Sequence, residues 1–153
     1  MCSSDLWHES GSEPAKWDPQ TRATADHSLP YILAWVLRHG LIDHHAFANE
    51  VYRDPGIRPL MNRVTVRVID EFEKDFPRRV GMRMVAKDKA GKSYEVTVIN
   101  PLGHEDNPVS AKDLAEKFTR LVEPQLGAGN TATALKHWQN IESASSEIGR
   151  AHV

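Results

Sequence analysis

His27 and Tyr31 stand four residues apart at the head of a periodic apolar run, Leu29, Ile32, Leu33, Val36 and Leu37. A spacing of four lets two side chains share one helical face, and a helix N-terminus favours anions. An imidazole and a phenol placed there offer a proton carrier and a hydrogen-bond donor to a carboxylate. The same pair also suits a purely structural use, with a buried tyrosine whose hydroxyl is satisfied and a histidine that caps. Residue chemistry alone leaves both uses open.

Other constellations are weaker. The chain holds eight histidines, and His39, His44 and His45 are close in sequence. Their spacing is neither an i, i+4 pair on one helix nor a His-x-Glu pattern, and no cysteine lies near. A solvated helix end with no metal is expected there. Asp26-His27-Ser28 contains the letters of a nucleophilic triad, but consecutive residues at a helix start point in different directions and cannot align as orienter, base and nucleophile. Arg78, Arg79, Arg83, Lys87, Lys89 and Lys92 gather around one hairpin. Keeping an edge strand soluble explains them better than gathering an acidic substrate.

The chain has 153 residues, of which 40% are hydrophobic and 26% charged, with a net charge of −2. That size suits one ordinary domain with its own core. The near-zero charge removes the broad basic footprint of a nucleic-acid or anionic-membrane binder. The longest apolar stretch, Leu29 to Leu37, ends at Arg38 and is far shorter than a membrane span. No charged segment followed by an apolar one opens the chain, so nothing in it argues for secretion. A single cysteine, Cys2, excludes an internal disulfide and a cysteine-ligated iron–sulfur cluster, so a reducing, cytoplasmic setting is expected.

The elements that would position His27 and Tyr31 follow from period and punctuation. Met1–Leu6 and Ser145–Val153 lack any period and read as translated sequencing adapter, so they are expected to be non-native flanks. Residues 1–16 form a lead-in, and Trp7–Arg22, with Gly11, Pro14 and Pro19, is expected to be extended. A helix follows, capped by Asp26 or Ser28 and closed by Gly40, with its Leu29–Leu37 stripe buried. Asp43 starts a short helical piece, and Asp54-Pro55 starts another carrying Ile57, Leu60 and Met61. The period then switches to two. Val64/Val66/Val68, Val80/Met82/Met84 and Tyr94/Val96/Val98 predict three strands, the last two joined across Asp88–Lys92. Glu71 to Asp75 reads as a solvated loop, and Asn100–Pro108 as a longer one. Ser110 with Asp113 opens a helix burying Leu114, Phe118, Leu121 and Val122, and Gly127 and Gly129 separate it from a last helix with Leu135 and Trp138. The expectation is an α+β domain with an antiparallel sheet of three or more strands packed by helices, in which 17–109 form one domain and 110–144 a pair of C-terminal helices.

The run Trp17-Asp18-Pro19-Gln20-Thr21-Arg22-Ala23-Thr24-Ala25-Asp26-His27-Ser28-Leu29-Pro30-Tyr31 resembles a signature segment of the MmgE/PrpD family. Asp54-Pro55, Gly103-His104 with Asn107-Pro108, and Glu116-Lys117-Phe118 follow in the family's order, so the resemblance spans roughly Trp17 to Ile141. It implies a cofactor-independent lyase or isomerase of di- and tricarboxylates: a dehydratase of 2-methylcitrate, a decarboxylase of cis-aconitate, or an epimerase of iminodisuccinate. It implies a large helical domain with a smaller α+β lid, of which this chain would be the lid and the returning helices, and a homodimeric parent. His27 matches the histidine of the family's His-Ser/Cys-x-x-Tyr pattern, and Tyr31 the tyrosine that the lid contributes to the active site in the decarboxylase branch. Pro30 stands where the dehydratase and decarboxylase patterns carry Gln, which leaves the substrate open. Most acid–base groups would lie on the absent helical domain, so the chain is expected to be inert alone. The alternative from residues alone is a self-standing binding or dimerisation module.

Overall fold

The computed structural model describes residues 4–143, and the expected flank 145–153 and Cys2 lie outside the described residues. The chain divides into two compact units, one ending at Pro101 and one beginning at Leu102.

The first unit is organised by one helix. Four helices open it: α1 (Ser4–Ser10), α2 (Pro14–Trp17), α3 (Arg22–Asp26) and α4 (Leu29–His39). The lead-in is thus helical rather than extended. Pro14 occupies the first turn of α2, where a missing N–H costs nothing, so a residue read as a breaker acts as a starter. Gly11 closes α1 by donating to the Trp7 carbonyl at 2.9 Å and accepts from the Trp17 indole N–H at 2.8 Å. Thr21 and Thr24 cap α3 reciprocally.

Ser28 is the N-cap of α4, its Oγ accepting the Tyr31 N–H at 3.1 Å. Gly40 ends the helix at φ 85°, a left-handed cap that a side chain would oppose. The buried face differs from the expected stripe. Pro30, Tyr31 and Ala34 are the buried residues of α4, while Leu29, Leu33 and Leu37 border an open cleft and Leu37 is 58% exposed. The core chose the face carrying the aromatic ring and the smallest side chains, which lets neighbouring backbone approach closely.

Two 3₁₀ turns (His44–Phe47 and Val51–Arg53) and α5 (Arg58–Met61) complete this core. Asp43 caps the first turn through the His45 N–H at 2.9 Å. Asp54 holds the Gly56 N–H at 2.8 Å, which delays α5 to Arg58. Ala25, Tyr31, Ala34, Tyr52, Ile57 and Met61 form one cluster, with Trp35, Phe47 and Leu60 packed on it.

Beyond it, α6 (Asp70–Glu73) replaces the expected solvated loop, because Phe72 is buried within it. Strands β1 (Met82–Lys87) and β2 (Ser93–Val98) pair antiparallel from Met82↔Val98 to Lys87↔Ser93. Asp88 shapes the turn by accepting the Ala90 and Lys92 N–H groups at 2.9 and 3.0 Å. The expected third strand does not form: only Val68 is a bridge residue, and the sheet has two strands among the described residues. Arg63 to Val66 instead line a cleft together with β1. Alternation marks a chain with two unlike faces but does not supply a neighbour at pairing distance.

In the second unit a loop bridged at His104 and Asn107 leads to α7 (Ala111–Gln139), capped by Ser110 through the Asp113 N–H at 3.0 Å. Gly127, at φ 72° and ψ 160°, breaks α7 into two helical stretches where the glycines predicted a break. Phe118 and Val122 are half-buried, but Leu114 is 61% exposed and Leu121 is also open, against expectation. A 3₁₀ turn (Ile141–Ser143) ends the described chain.

Replacing Ser28 by Ala removes a cap and a buried donor at once. The S28A protein should lose about 1–3 kcal/mol of unfolding free energy. A T21A control at an exposed cap should lose less. Equal denaturant midpoints for S28A and the parent chain would refute the assigned role.

Candidate functional site

The segment from Trp17 to Tyr31 is tied down from the far side of its own unit. The Arg53 guanidinium donates to the Gln20 carbonyl from Nε at 3.0 Å and from Nη2 at 2.7 Å. Arg58 Nη2 reaches Asp18 Oδ1 at 2.8 Å and the Pro19 carbonyl at 3.3 Å. The Ser28 hydroxyl donates to the Lys16 carbonyl, and Pro19 and Ser28 are both fully buried. Neither arginine belongs to a recognisable motif. Their only sequence signal is position beside Asp54-Pro55, which does not reveal a partner more than thirty residues upstream.

Tyr31 is completely buried. Its ring meets Trp35 and Phe47, each with centroids 6.1 Å away, and its hydroxyl donates to the Ala46 carbonyl. Burial pushes the hydroxyl up to about 12, slightly opposed by the Arg58 charge, so it remains a proton-bearing donor at any physiological pH.

His27 is not on α4. It is the C-cap of α3 at φ −106° and ψ 12°, and Ser28 intervenes as the cap of the next helix. The spacing of four therefore does not place His27 and Tyr31 on one helical face, and no hydrogen bond or ring contact joins them among the described residues. The His27 side chain is 59% exposed, with Nδ1 at 2.6 Å from Asp26 Oδ1 and 3.2 Å from the Ala23 carbonyl. Both neighbours are acceptors, so Nδ1 carries a proton. The Asp26 hydrogen bond, then the Ala23 carbonyl, raise the imidazole above its ordinary value. The arrangement offers an exposed, readily protonated imidazole to an anion.

Asp43, His44 and His45 come together more than their spacing suggested, with one ligand atom from each within 4.8 Å of the others. Burial of the Asp43 carboxyl raises its proton affinity, but the His45 backbone N–H and ring outweigh this and hold it below the ordinary value. That carboxylate is already committed to capping, accepting from the His45 N–H at 2.9 Å and facing the ring Nδ1 at 3.3 Å. Around the hairpin, Arg83 contacts Glu71 at 2.9 Å and Glu95 at 3.6 Å, and Arg79 contacts Asp75 at 3.3 Å, so part of the basic cluster is neutralised.

The family model described as MmgE/PrpD C-terminal domain matches residues 5–141. The chain belongs to the MmgE/PrpD family, which is associated with dehydratase and other lyase enzymes. The match begins upstream of Trp17 and takes in most of α1 and all of α2. No described helix is long and apolar enough to cross a membrane.

Two measurements check these assignments. The Y31F chain should unfold about 1–3 kcal/mol more easily at neutral pH, because the Ala46 carbonyl keeps its burial and loses its donor. The raised Tyr31 value means that its contribution is complete below pH 10 and lost as pH climbs towards 12, so the gap between the parent and Y31F should narrow over that interval. A gap that stays constant would disprove the assigned titration. For His27, the imidazole proton resonance should titrate with a midpoint above 6.5 and drop back in D26N, whereas an unchanged midpoint in D26N would assign the shift elsewhere.

Proposed function

We propose that this chain is the lid portion of a MmgE/PrpD lyase that acts on di- or tricarboxylates in the cytoplasm, in the manner of a 2-methylcitrate dehydratase. The match of residues 5–141 to the family's C-terminal domain carries this reading. The lid covers the substrate, and a helical domain supplies most of the acid–base groups. In this reading α7 is the returning helical segment. Its exposed Leu114, Leu126 and Trp138 are faces that such a domain would cover. The parent works as a homodimer without a metal or cluster.

His27 and Tyr31 are the proposed site residues. The exposed, readily protonated imidazole of His27 suits a substrate carboxylate, or proton delivery to it. Tyr31 is the donor for charge that develops on a carboxylate as the neighbouring proton is removed. Here the Ala46 carbonyl takes that hydrogen bond, so closure of the site exchanges one acceptor for another. Asp18, Arg53 and Arg58 hold the strand of chain that delivers both residues.

The purified chain should show no turnover of 2-methylcitrate, cis-aconitate or iminodisuccinate. Joined behind the helical domain of a family dehydratase, it should restore loss of water, and H27Q in that fusion should lower the rate at least tenfold. Turnover by the chain alone, or a folded fusion without activity, would overturn the reading.

A further inference from the structure

A cleft of about 530 Å³ opens within the first unit, between α4, residues 63–66 and β1. That volume is in the range of ordinary ligand sites. Its lining has an unusual composition. Leu29, Leu33 and Leu37 come from α4, but β1 contributes every residue from Met82 to Lys87, and the unbroken stretch Arg63–Val66 lines it as well. A strand that showed the cleft one face would contribute alternate residues. A strand that borders it with its edge contributes all of them.

The register identifies what that edge presents. The Asp88 N–H donates to the Lys92 carbonyl, and Asp88 and Lys92 continue the Met82↔Val98 to Lys87↔Ser93 pairing. Hydrogen-bonded pairs in an antiparallel ladder alternate. Ala86, Met84 and Met82 therefore bond to β2, while the N–H and C=O groups of Val85 and Lys87 point away from β2, into the cleft. Neither residue finds a backbone partner there among the described residues. Such an edge is a template for another strand.

We infer that this cleft binds an extended peptide segment that adds to the outer edge of β1, with apolar residues alternating with acidic ones. The two faces of β1 dictate that alternation. Met82, Met84 and Ala86 are half-buried and share the cleft with the α4 leucines, so one face of the incoming strand is apolar. Val85 and Lys87 are exposed on the other face, and Arg63 also lines the cleft. Arg63 and Lys87 form no ion pair among the described residues, which leaves two positive charges at the cleft for carboxylates. A second copy of β1 fits poorly, because antiparallel pairing centred on Val85 sets Arg83 opposite Lys87, and like charges directly opposite repel. An aliphatic carboxylate would fill the leucine wall but leave the strand edge unsatisfied. A six-residue strand runs about 20 Å, so a segment of six to eight residues is enough.

The probe is a capped octapeptide alternating valine with glutamate, labelled at one end and titrated into the full chain by fluorescence anisotropy. It should bind, shift the amide resonances of residues 63–66 and 82–87, and slow hydrogen exchange at Val85 and Lys87. The V85P chain should bind at least tenfold more weakly. Its hairpin should survive, because the Val85 N–H is not used by β2 and proline is tolerated on an outer edge. The paired change R63E with K87E, which leaves the backbone intact, should weaken the acidic peptide and favour a lysine counterpart. The proposal is overturned by unchanged binding to V85P, by indifference to the paired charge reversal, or by decanoate occupying the cleft where the peptide fails. Dimers of the chain that V85P abolishes, with no peptide bound, would assign the cleft to a second copy and equally overturn it.

Discussion

One buried hydroxyl holds the first unit in register. Ser28 Oγ accepts the Tyr31 N–H, starting α4, and donates to the Lys16 carbonyl at the end of α2. A hydroxyl is the smallest group that can do both, and at a position with no solvent exposure either role left empty would strand a polar backbone group. The direction of α4, and with it the direction of the Tyr31 ring, follows from that junction. Tyr31 then reaches the Ala46 carbonyl and closes the loop that carries Asp43, His44 and His45. A chain of three polar contacts thus passes from the lead-in helices through the core to the far loop.

Most residues of the run from Trp17 to Tyr31 are consequently structural. Pro19, Ser28, Pro30 and Tyr31 are buried, and Arg53 and Arg58 clamp the carbonyls between them. His27 is the exception. It is exposed between two helices, beside Asp26, which stabilises its charge. A group held outward by a rigid neighbour of this kind can meet a substrate without disturbing the core.

Much of this was legible from local rules. Ser28, Gly40, Ser110 and the break at Gly127 were visible because capping and left-handed backbone depend on a few adjacent residues. The faces were less legible. The leucine stripe of α4 borders a cleft while Pro30, Tyr31 and Ala34 are buried, since a helix apolar on more than one side leaves the choice to whichever neighbour packs best. The Val64–Val68 segment alternates like a strand but adds none to the described sheet, because pairing is a property of two segments and only one of them is local. His27 and Tyr31 share a spacing but not a helix, because Ser28 took the cap between them.

The sequence by itself determined the family, the α+β character, the caps and turns, and the identity of the residues with chemistry to offer. All of these depend on residue type and short spacing. Tertiary structure alone decided that Tyr31 points into the core, that His27 faces out, that two arginines clamp the signature run, and that β1 leaves an edge open to a cleft. Those outcomes depend on groups separated by dozens of residues, whose approach is set by the competition to bury surface while satisfying every backbone donor and acceptor.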